Sequence, residues 1–312
     1  MNRHFKKYYF YFVARIFDFL GCYEKSIASY SKVIRYRTFF WDVQTRYAHA
    51  YQNSSKICAF QIHGGIGDFL QHLPFILKNK SAQYIVVSHY VEAPKFFAAL
   101  GVKVKEFHFY SSLDEYRAIR EKLKHLTQSY ICPRSLFFER QPFNSEINLN
   151  LKSKFIIGIH AGSSKLGANK ALSKEFVKAL IKSLIASNYK IILFGAPDEL
   201  KKLNISPNKN LIIPISKKIT DSLSLVSHCN FFVGSDSVFK TMASMLKISS
   251  IVFCEDNKNN FRDRVFIKPY LNHKVMHVYK YKKLAGMEVK KAIQYVSELC
   301  HEQFKVKNKA VN

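Results

Sequence analysis

Acidic residues are scarce in this chain. Its 312 residues include 22 Asp and Glu against 49 Lys and Arg, which gives a formal net charge of +27. A charge of this size implies anionic partners: nucleic acid, anionic lipid or phosphorylated substrates. The basic residues are spread along the chain, without a zinc-finger pattern, an RNP-type aromatic signature or a basic recognition helix. We therefore expect no nucleic-acid partner and favour lipids or phosphorylated molecules.

Long apolar runs and paired cysteines are also lacking. No stretch of about 18 uncharged apolar residues occurs, so no transmembrane helix is expected. The start "MNRHFKKYYFYFVARIFDFLG" imitates a signal peptide, but Arg15 and Asp18 interrupt it and no small-residue cleavage site follows, so we expect it to be retained and helical. The six cysteines are scattered without a C-x-x-C pair, which favours buried, reduced thiols in a cytoplasmic protein.

Metal-binding patterns are missing as well. The sequence has neither an H-E-x-x-H motif nor the Asp-x-Asp pair that holds a divalent ion on nucleotide-sugar phosphates. We therefore expect no metal site and no cofactor.

The first 55 residues are predicted to form a helical segment of their own. Apolar residues at three- and four-residue spacing make one helix face: Leu20, Tyr23, Ile27, Tyr30 and Ile34. The pattern is similar to the second half of a tetratricopeptide unit, and so short a piece cannot form a solenoid. We expect it to pack on the rest of the chain, with Leu20, Tyr23, Ile27 and Tyr30 buried.

Aromatic residues stand beside lysines in the first dozen positions, where "KKYYFYF" covers residues 6–12. Aromatic rings next to lysines suit the headgroup boundary of an anionic membrane. The sequence leaves two alternatives open. The segment could form a solvated basic face, or its rings could be buried against the first sheet.

From residue 56 onward, short β-type runs alternate with helical stretches, and the alternation restarts after a polar linker at 139–153. Such alternation predicts βαβ units and parallel sheets. The predicted fold class is α/β, with two Rossmann-like parallel-sheet domains at 56–150 and 151–312 facing a cleft, preceded by the helical segment 1–55. Ligands of such sheets bind at the carboxyl ends of the strands.

The stretch "IHGGIGDFLQHLP" joins a predicted strand to a predicted helix. Gly64, Gly65 and Gly67 permit positive φ and close approach of the backbone to a ligand. Asp68 stands where the helix begins. Two interpretations remain open: a turn capped by Asp68, or a ligand site at the edge of the sheet with Asp68 as a base.

Two later loops offer groups that bind anions. Ser163 and Ser164 follow the predicted strand "KFIIGIHAG", and their hydroxyl and N–H groups can meet a phosphate. This loop also carries Lys170 before the next predicted helix.

The second of these loops follows the predicted strand "NFFVGS". Asp236 and Ser237 open a helix there, and Lys240 and Thr241 lie in its first turn. A lysine at a helix N-terminus opposes the helix dipole. A bound anion would remove that conflict, so we expect Lys240 to contact a phosphate.

Three pieces of the sequence, in order, resemble glycosyltransferase family 9, the heptosyltransferase family. They are "GGIGDFLQHLP", "IGIHAGSSKLGANKALSKEF" with "IILFGAPDE", and "FFVGSDSVFKTMASMLKISSIVF", within residues 57–253. The family usually has Trp-Pro after the loop lysine, where this chain has Leu172 and Ser173 following Ala171. The family usually has glycine and histidine in the third motif, where this chain has Val238 and Thr241.

The resemblance implies a GT-B enzyme that is inverting and independent of metal. It implies that Asp68 is the base, that Lys170 contacts the donor diphosphate and that Glu199 binds the nucleotide ribose; Lys240 would stand in for the missing histidine. Helix capping by Asp68, a surface position for Lys170 and a first-turn role for Glu199 remain the alternatives.

The substrates implied are a nucleotide sugar, ADP-heptose being the family's donor, and a phosphorylated lipopolysaccharide-type acceptor. The enzyme would be cytoplasmic, on the inner face of the inner membrane, and the high positive charge fits that acceptor and that surface. Two alternatives stay open: another nucleotide sugar with a protein or other glycan acceptor, and a non-catalytic binding protein on the same fold.

Overall fold

The structure is a computed structural model that describes residues 3–35, 43–54, 59–124, 129–132, 134, 141–144, 147, 149, 155–162, 171–215, 218–255, 276–281 and 289–309. The chain divides into two compact units, Met1–Ser135 and Leu136–Asn312. The predicted linker at 139–153 begins just after this division.

The first unit begins with three helices. They are α1 (Arg3–Phe19), α2 (Tyr23–Arg35) and α3 (Val43–Gln52). The turn between α1 and α2 contains Gly21, whose φ of +69° suits glycine. Ile27 and Tyr30 are fully buried, as predicted. In α3, the rings of Tyr47 and Tyr51 pack against Phe60 and Phe75 of the sheet domain.

The prediction that Leu20 is buried is wrong, because 61% of its surface is exposed. The prediction assumed one helix running through this region, but α1 ends at Phe19 and the chain turns at Gly21. Leu20 therefore lies in the turn, out of register with the face that α2 buries. Tyr23 begins α2 and is half-buried, and its ring packs edge-on against the ring of His49 with 5.9 Å between the centroids.

The sheet of the first unit has four parallel strands. They are β1 (Ala59–Gly64), β2 (Gln83–Ser88), β3 (Glu106–Phe109) and β4 (Ser129–Ile131), in the spatial order β3-β2-β1-β4. The helices that follow the first three strands are α4 (Ile66–Lys78), α5 (Ala93–Ala99) and α6 (Leu113–Lys124). Because the order runs 3-2-1 and then jumps to 4, it reverses between β1 and β4.

The second unit has six parallel strands. They are β5 (Ile156–His160), β6 (Lys190–Phe194), β7 (Leu211–Ile212), β8 (Phe231–Ser235), β9 (Ser249–Glu255) and β10 (Met276–Tyr281), in the order β10-β9-β8-β5-β6-β7. Counted within the unit, this is the 3-2-1-4-5-6 order of the Rossmann fold. The predicted α/β class with two Rossmann-like sheets is confirmed, and β10 is a strand that the sequence analysis did not predict.

Five helices are described in the second unit. They are α7 (Lys174–Ala186), α8 (Pro197–Leu203), α9 (Ile219–Leu225), α10 (Val238–Met245) and α11 (Val289–Lys309), with a short 3-10 turn at Val226–His228. The core lies between the sheet and these helices, where Ile157, Leu180, Leu193 and Val296 are all buried. The apolar runs of the strands are thus explained by helices covering the sheet.

The cysteines whose side chains are described are free thiols. Cys132, Cys229 and Cys300 are buried, and burial raises the pKa of each of these thiols. Cys22 is exposed, contrary to the prediction, because it lies in the turn between α1 and α2. None of the described helices combines the length and the apolar character needed to cross a membrane.

Candidate functional site

Strand order identifies one place in each unit where a ligand is expected. In open α/β sheets, ligands bind beyond the carboxyl ends of the strands, where the strand order reverses. That reversal lies between β1 and β4 in the first unit and between β5 and β8 in the second. Asp68 and Arg134 follow the first pair of strands, while His160 and Ser237 lie at the ends of the second pair. In both units, the two residues are in contact.

Asp68 is the third residue of α4 and uses both of its carboxylate oxygens. Oδ2 accepts a hydrogen bond from the N–H of Gly65 at 3.2 Å, which caps the helix. Oδ1 lies 3.2 Å from Nη2 of Arg134, whose Nη1 donates to Oε1 of Gln71 at 3.3 Å. The Asp68 side chain remains 27% exposed. A carboxylate has about four lone-pair positions, so Asp68 can cap the helix and still accept from a ligand.

The glycines before Asp68 make room for side chains. Gly64 has a φ of +118°, and a Cβ there would collide with the Asp68 carboxylate. A Cβ at Gly65 would lie 2.9 Å from the ring of His89. Gly67 lies in the first turn of α4. At Gly64 and Gly65, the lack of a side chain is therefore what lets Asp68 and His89 close over the end of β1.

His89 and Tyr110 complete the group at this edge. His89 follows β2, Tyr110 follows β3, and the imidazole Nδ1 is 3.1 Å from the phenol oxygen. Burial lowers the pKa of His89, although the nearby Asp68 opposes this, so the imidazole is neutral at pH 7. Burial, with smaller effects of Tyr116 and Asp68, raises the pKa of Tyr110 to about 12. Each of the four strands thus contributes one polar side chain, and we call Asp68, His89, Tyr110 and Arg134 the four-strand cluster.

The equivalent edge of the second unit is centred on His160, the last residue of β5. Its Nδ1 lies 2.9 Å from Oγ of Ser237, and its Nε2 lies 3.6 Å from Oε2 of Glu199. Its ring also packs on Phe239, with 4.5 Å between centroids. Only 4% of His160 is exposed. His160 therefore joins the start of α10 to the start of α8, and we call His160, Glu199 and Ser237 the histidine bridge.

Glu199 occupies the third position of α8. Its Oε2 accepts from the N–H of Ala196 at 2.9 Å, and a Cβ on Gly162 would collide with its carboxylate. Burial disfavours the ionised form, but contacts with His160 and the Ala196 N–H outweigh it and lower the pKa of Glu199. The side chain is 32% exposed. Glu199 thus presents an ionised acceptor beside Gly162, at the end of β5.

The structure gives Lys240 a partner just before the start of its own helix. Its Nζ lies 2.8 Å from Oδ1 of Asp236, and the Lys240 side chain is 2% exposed. The expected conflict with the helix dipole is therefore relieved by a carboxylate at the same helix terminus. Thr241 is also buried, and its hydroxyl donates to the Ser237 carbonyl at 3.3 Å. The phosphate contact expected of Lys240 stays a prediction.

Ser163, Ser164 and Lys170 lie outside the described residues, so their expected contacts with phosphate stay predictions. Gly162, the residue that precedes Ser163 in the sequence, lies next to Glu199.

Sequence reasoning missed four residues of the two groups: His89, Tyr110, Arg134 and His160. A usable signal exists for each. His160 is a polar residue in the apolar strand "FIIGIHA", and the other three follow apolar or aromatic strand residues within three positions. Polar residues placed where parallel strands end meet at one edge of the sheet, which is how they could have been found.

Comparisons with known proteins identify no family model and no curated protein that matches this sequence. Among solved structures, the chain is similar to an E. coli heptosyltransferase WaaC with ADP (14% identity, 78% of this chain and 98% of that chain, TM-score 0.46). It is similar to the same extent to E. coli ADP-heptose lps heptosyltransferase II (14%, 78% and 99%, TM-score 0.48). A glycosyl transferase family 9 structure from Veillonella parvula gives 12% identity, 78% and 97% coverage and a TM-score of 0.46. Likenesses this low carry no argument about activity, so a functional proposal has to rest on the chain's own residues.

Proposed function

We propose that this protein is an inverting, metal-independent glycosyltransferase of the family 9 type. The observation that carries the proposal is the placement of Asp68. The residue that the motif resemblance names as the base lies at the strand-order reversal of the first sheet, partly exposed and in contact with Arg134. The GT-B arrangement of the two units, which the resemblance implies, is part of this proposal.

In the proposed reaction, Asp68 accepts the proton of an acceptor hydroxyl as that oxygen attacks the anomeric carbon of the donor. The bond from that carbon to the nucleoside diphosphate breaks, and the diphosphate leaves. Arg134 keeps the carboxylate oriented through Oδ1. General-base help of this kind contributes about 10²–10⁴-fold. A guanidinium has five N–H donors, so Arg134 also has donors for an anionic group on the acceptor.

The donor is proposed to lie at the second unit, with Glu199 accepting from a ribose hydroxyl. Its ionised carboxylate beside Gly162 is suited to that contact. The diphosphate would meet the loop of Ser163, Ser164 and Lys170 and the helix start at Ser237. We propose ADP-heptose as the donor, from the resemblance of the motifs.

A phosphorylated lipopolysaccharide-type glycolipid is the proposed acceptor. The formal net charge of +27 favours an anionic acceptor and an anionic inner leaflet. The protein would then act on the cytoplasmic face of the inner membrane as a peripheral enzyme.

Thermal shift with ADP- and UDP-linked sugars tests the donor. A donor at a hundredfold excess over its Kd should raise the free energy of unfolding by about 2.7 kcal/mol. ADP-heptose should stabilise the protein more than UDP-sugars do. Addition of an acceptor should then cause release of nucleoside diphosphate from the donor. Stabilisation by a UDP-sugar alone would replace the proposed donor, and binding without release of diphosphate would favour a binding protein.

A further inference from the structure

The outward face of α1 is made of large apolar side chains. It consists of Phe5, Tyr8, Tyr9, Phe12, Ile16 and Phe19, with Leu20 directly after the helix, each between 42% and 91% exposed. Their spacing of three and four residues puts them on one side of the helix. We call these seven residues the aromatic stripe.

The stripe is the face of α1 that the rest of the unit does not cover. On the opposite face, Ala14 is buried and its carbonyl accepts from the hydroxyl of Ser26 in α2. Twelve exposed large apolar residues are found among the described side chains, and seven of them belong to this stripe; the other five are scattered over both units. Scattered residues of this type need no explanation, but a contiguous patch marks an interaction surface.

Basic side chains border the stripe. At about 100° per residue, Lys6 and Arg15 fall on its two sides. From α2, the Nζ atoms of Lys25 and Lys32 lie 5.6 Å and 4.8 Å from the rings of Phe17 and Phe10, beside α1.

Negative charge is kept away from this face. Asp18 is the only acid in the sequence of α1, and its side chain is 6% exposed because it contacts Arg46 and His49. Glu24, in the first turn of α2, is half-buried. The exposed face of α1 is therefore apolar at its centre and positive at its borders.

We propose that the aromatic stripe binds an anionic lipid membrane, with α1 lying in the plane of the headgroups. The helix has 17 residues and is about 25 Å long. Aromatic side chains in the centre and Lys and Arg at the borders are the pattern of helices that lie in a membrane surface. Pairing with a second copy of the chain is disfavoured, because two stripes face to face would bring their lysine borders together.

The proposal rests on the peripheral membrane location in the proposed function and deepens it by naming α1 as the surface in contact. Its test uses no sugar, so a failure would remove the membrane contact and leave the proposed sugar transfer standing.

Sedimentation with vesicles tests the proposal. The full chain is mixed with vesicles of phosphatidylcholine alone, or of phosphatidylcholine with about one third phosphatidylglycerol. The stripe variant Phe5→Ser/Phe12→Ser/Phe19→Ser should bind the anionic vesicles at least tenfold more weakly than wild type. Its melting temperature should be unchanged, since these side chains are exposed in the folded protein.

A control variant with three exposed apolar residues elsewhere, Val91→Ser/Leu113→Ser/Val306→Ser, should bind like wild type. A border variant, Lys25→Gln/Lys32→Gln, should weaken binding to anionic vesicles and reduce its dependence on salt. The tryptophan emission of the variant Phe12→Trp should shift to shorter wavelength when anionic vesicles are added. The emission of Val91→Trp should not shift.

Three results would overturn the proposal. Wild type could fail to sediment with anionic vesicles. The stripe variant could bind as well as wild type. Wild type could also form a dimer that only the stripe variant disrupts, which would assign the stripe to a second copy of the chain.

Discussion

The two units share the strand order 3-2-1-4, but the residues at the point where that order reverses differ in their exposure to solvent. At the reversal of the first sheet, Asp68 and Arg134 remain 27% and 33% exposed, so the pair can reach a ligand. At the reversal of the second sheet, His160 and Lys240 are almost fully buried, and Glu199 is the partly exposed member. The topology thus selects the location in both units. Exposure then distinguishes a partly exposed carboxylate, Asp68, in one unit from a buried polar group, His160, in the other.

The buried pair of the second unit should give the largest effect. Lys240→Met removes the lysine of the ion pair with Asp236, at a site where the lysine is 2% exposed. Breaking a buried ion pair typically costs about 3–5 kcal/mol, so we expect the free energy of unfolding in urea to fall by about 3 kcal/mol. The matched control is Lys95→Met, because Lys95 also pairs with an acid at 2.8 Å but is 80% exposed, and it should cost less than about 1 kcal/mol.

The double variant Asp236→Asn/Lys240→Met separates support from phosphate binding. It should recover much of the lost stability, because both charges of the pair are then removed together. If Lys240 also contacts the donor diphosphate, the double variant will still bind nucleoside diphosphate weakly. Full recovery of both properties would show that the lysine only supports the fold.

The partly exposed pair of the first unit, Asp68 and Arg134, should give the next largest effect. This effect should be on catalysis. Asp68→Asn removes the proposed base, so transfer should fall at least about a hundredfold while the affinity for donor stays close to wild type. Asp114→Asn is the control, because Asp114 is also a first-turn aspartate that contacts an arginine, Arg117, at 2.8 Å.

A loss of stability without a loss of transfer would contradict the base assignment. It would show that Asp68 only supports the fold, through its contacts with the Gly65 N–H and with Arg134.

Sequence reasoning found the sheets, one residue of the four-strand cluster and two of the histidine bridge, for a physical reason. Short apolar runs between helical stretches determine strands locally, and "GGIGD" requires glycine locally because Gly64 has positive φ. His89 and Arg134 belong to the first site only because β2 and β4 pair on either side of β1. That neighbourhood depends on strand order, which no local pattern contains.

The error in the first 55 residues has a local origin. A helix period that continues across Gly21 places Leu20 in the core, but the chain turns at Gly21 and Leu20 is exposed. Lys240 shows the complementary case. The electrostatic conflict at the helix start was recognised from the sequence, but its partner Asp236 was read as a separate ligand residue. Whether two nearby charges pair with each other or with a ligand depends on their rotamers and burial.

Glu199 should give an intermediate effect, on binding of the nucleotide. Glu199→Gln replaces an ionised acceptor by a neutral amide beside Gly162, and a hydrogen bond to a charged group is worth about 1.5–3 kcal/mol. We expect calorimetry to show binding of ADP about tenfold weaker. Glu175→Gln, a change of an exposed first-turn acid in the same unit, should leave binding unchanged. If both variants bind ADP equally well, Glu199 does not contact the nucleotide and serves only to cap the helix.

The smallest expected effect is the dependence of the free energy of unfolding on pH, which should differ between the two units. The pKa of His89 is lowered in the folded state, mainly by burial, so the unfolded chain binds more protons below its ordinary value of about 6.5. The stability that neutral His89 contributes is therefore complete above that pH and is lost as the pH falls through it.

Protonation of Glu199 should also reduce the stability of the fold, at lower pH. Its folded pKa is also lowered, so its contribution is present above about pH 4.3 and is lost as the pH falls through the folded value. Urea unfolding between pH 7.5 and 3.5 should thus show two separate losses. His89→Gln should flatten the first and leave the second, Glu199→Gln should do the reverse, and His108→Gln serves as the histidine control. If His89→Gln leaves the first loss intact, protonation of another group in the protein, and not of the four-strand cluster, causes that loss.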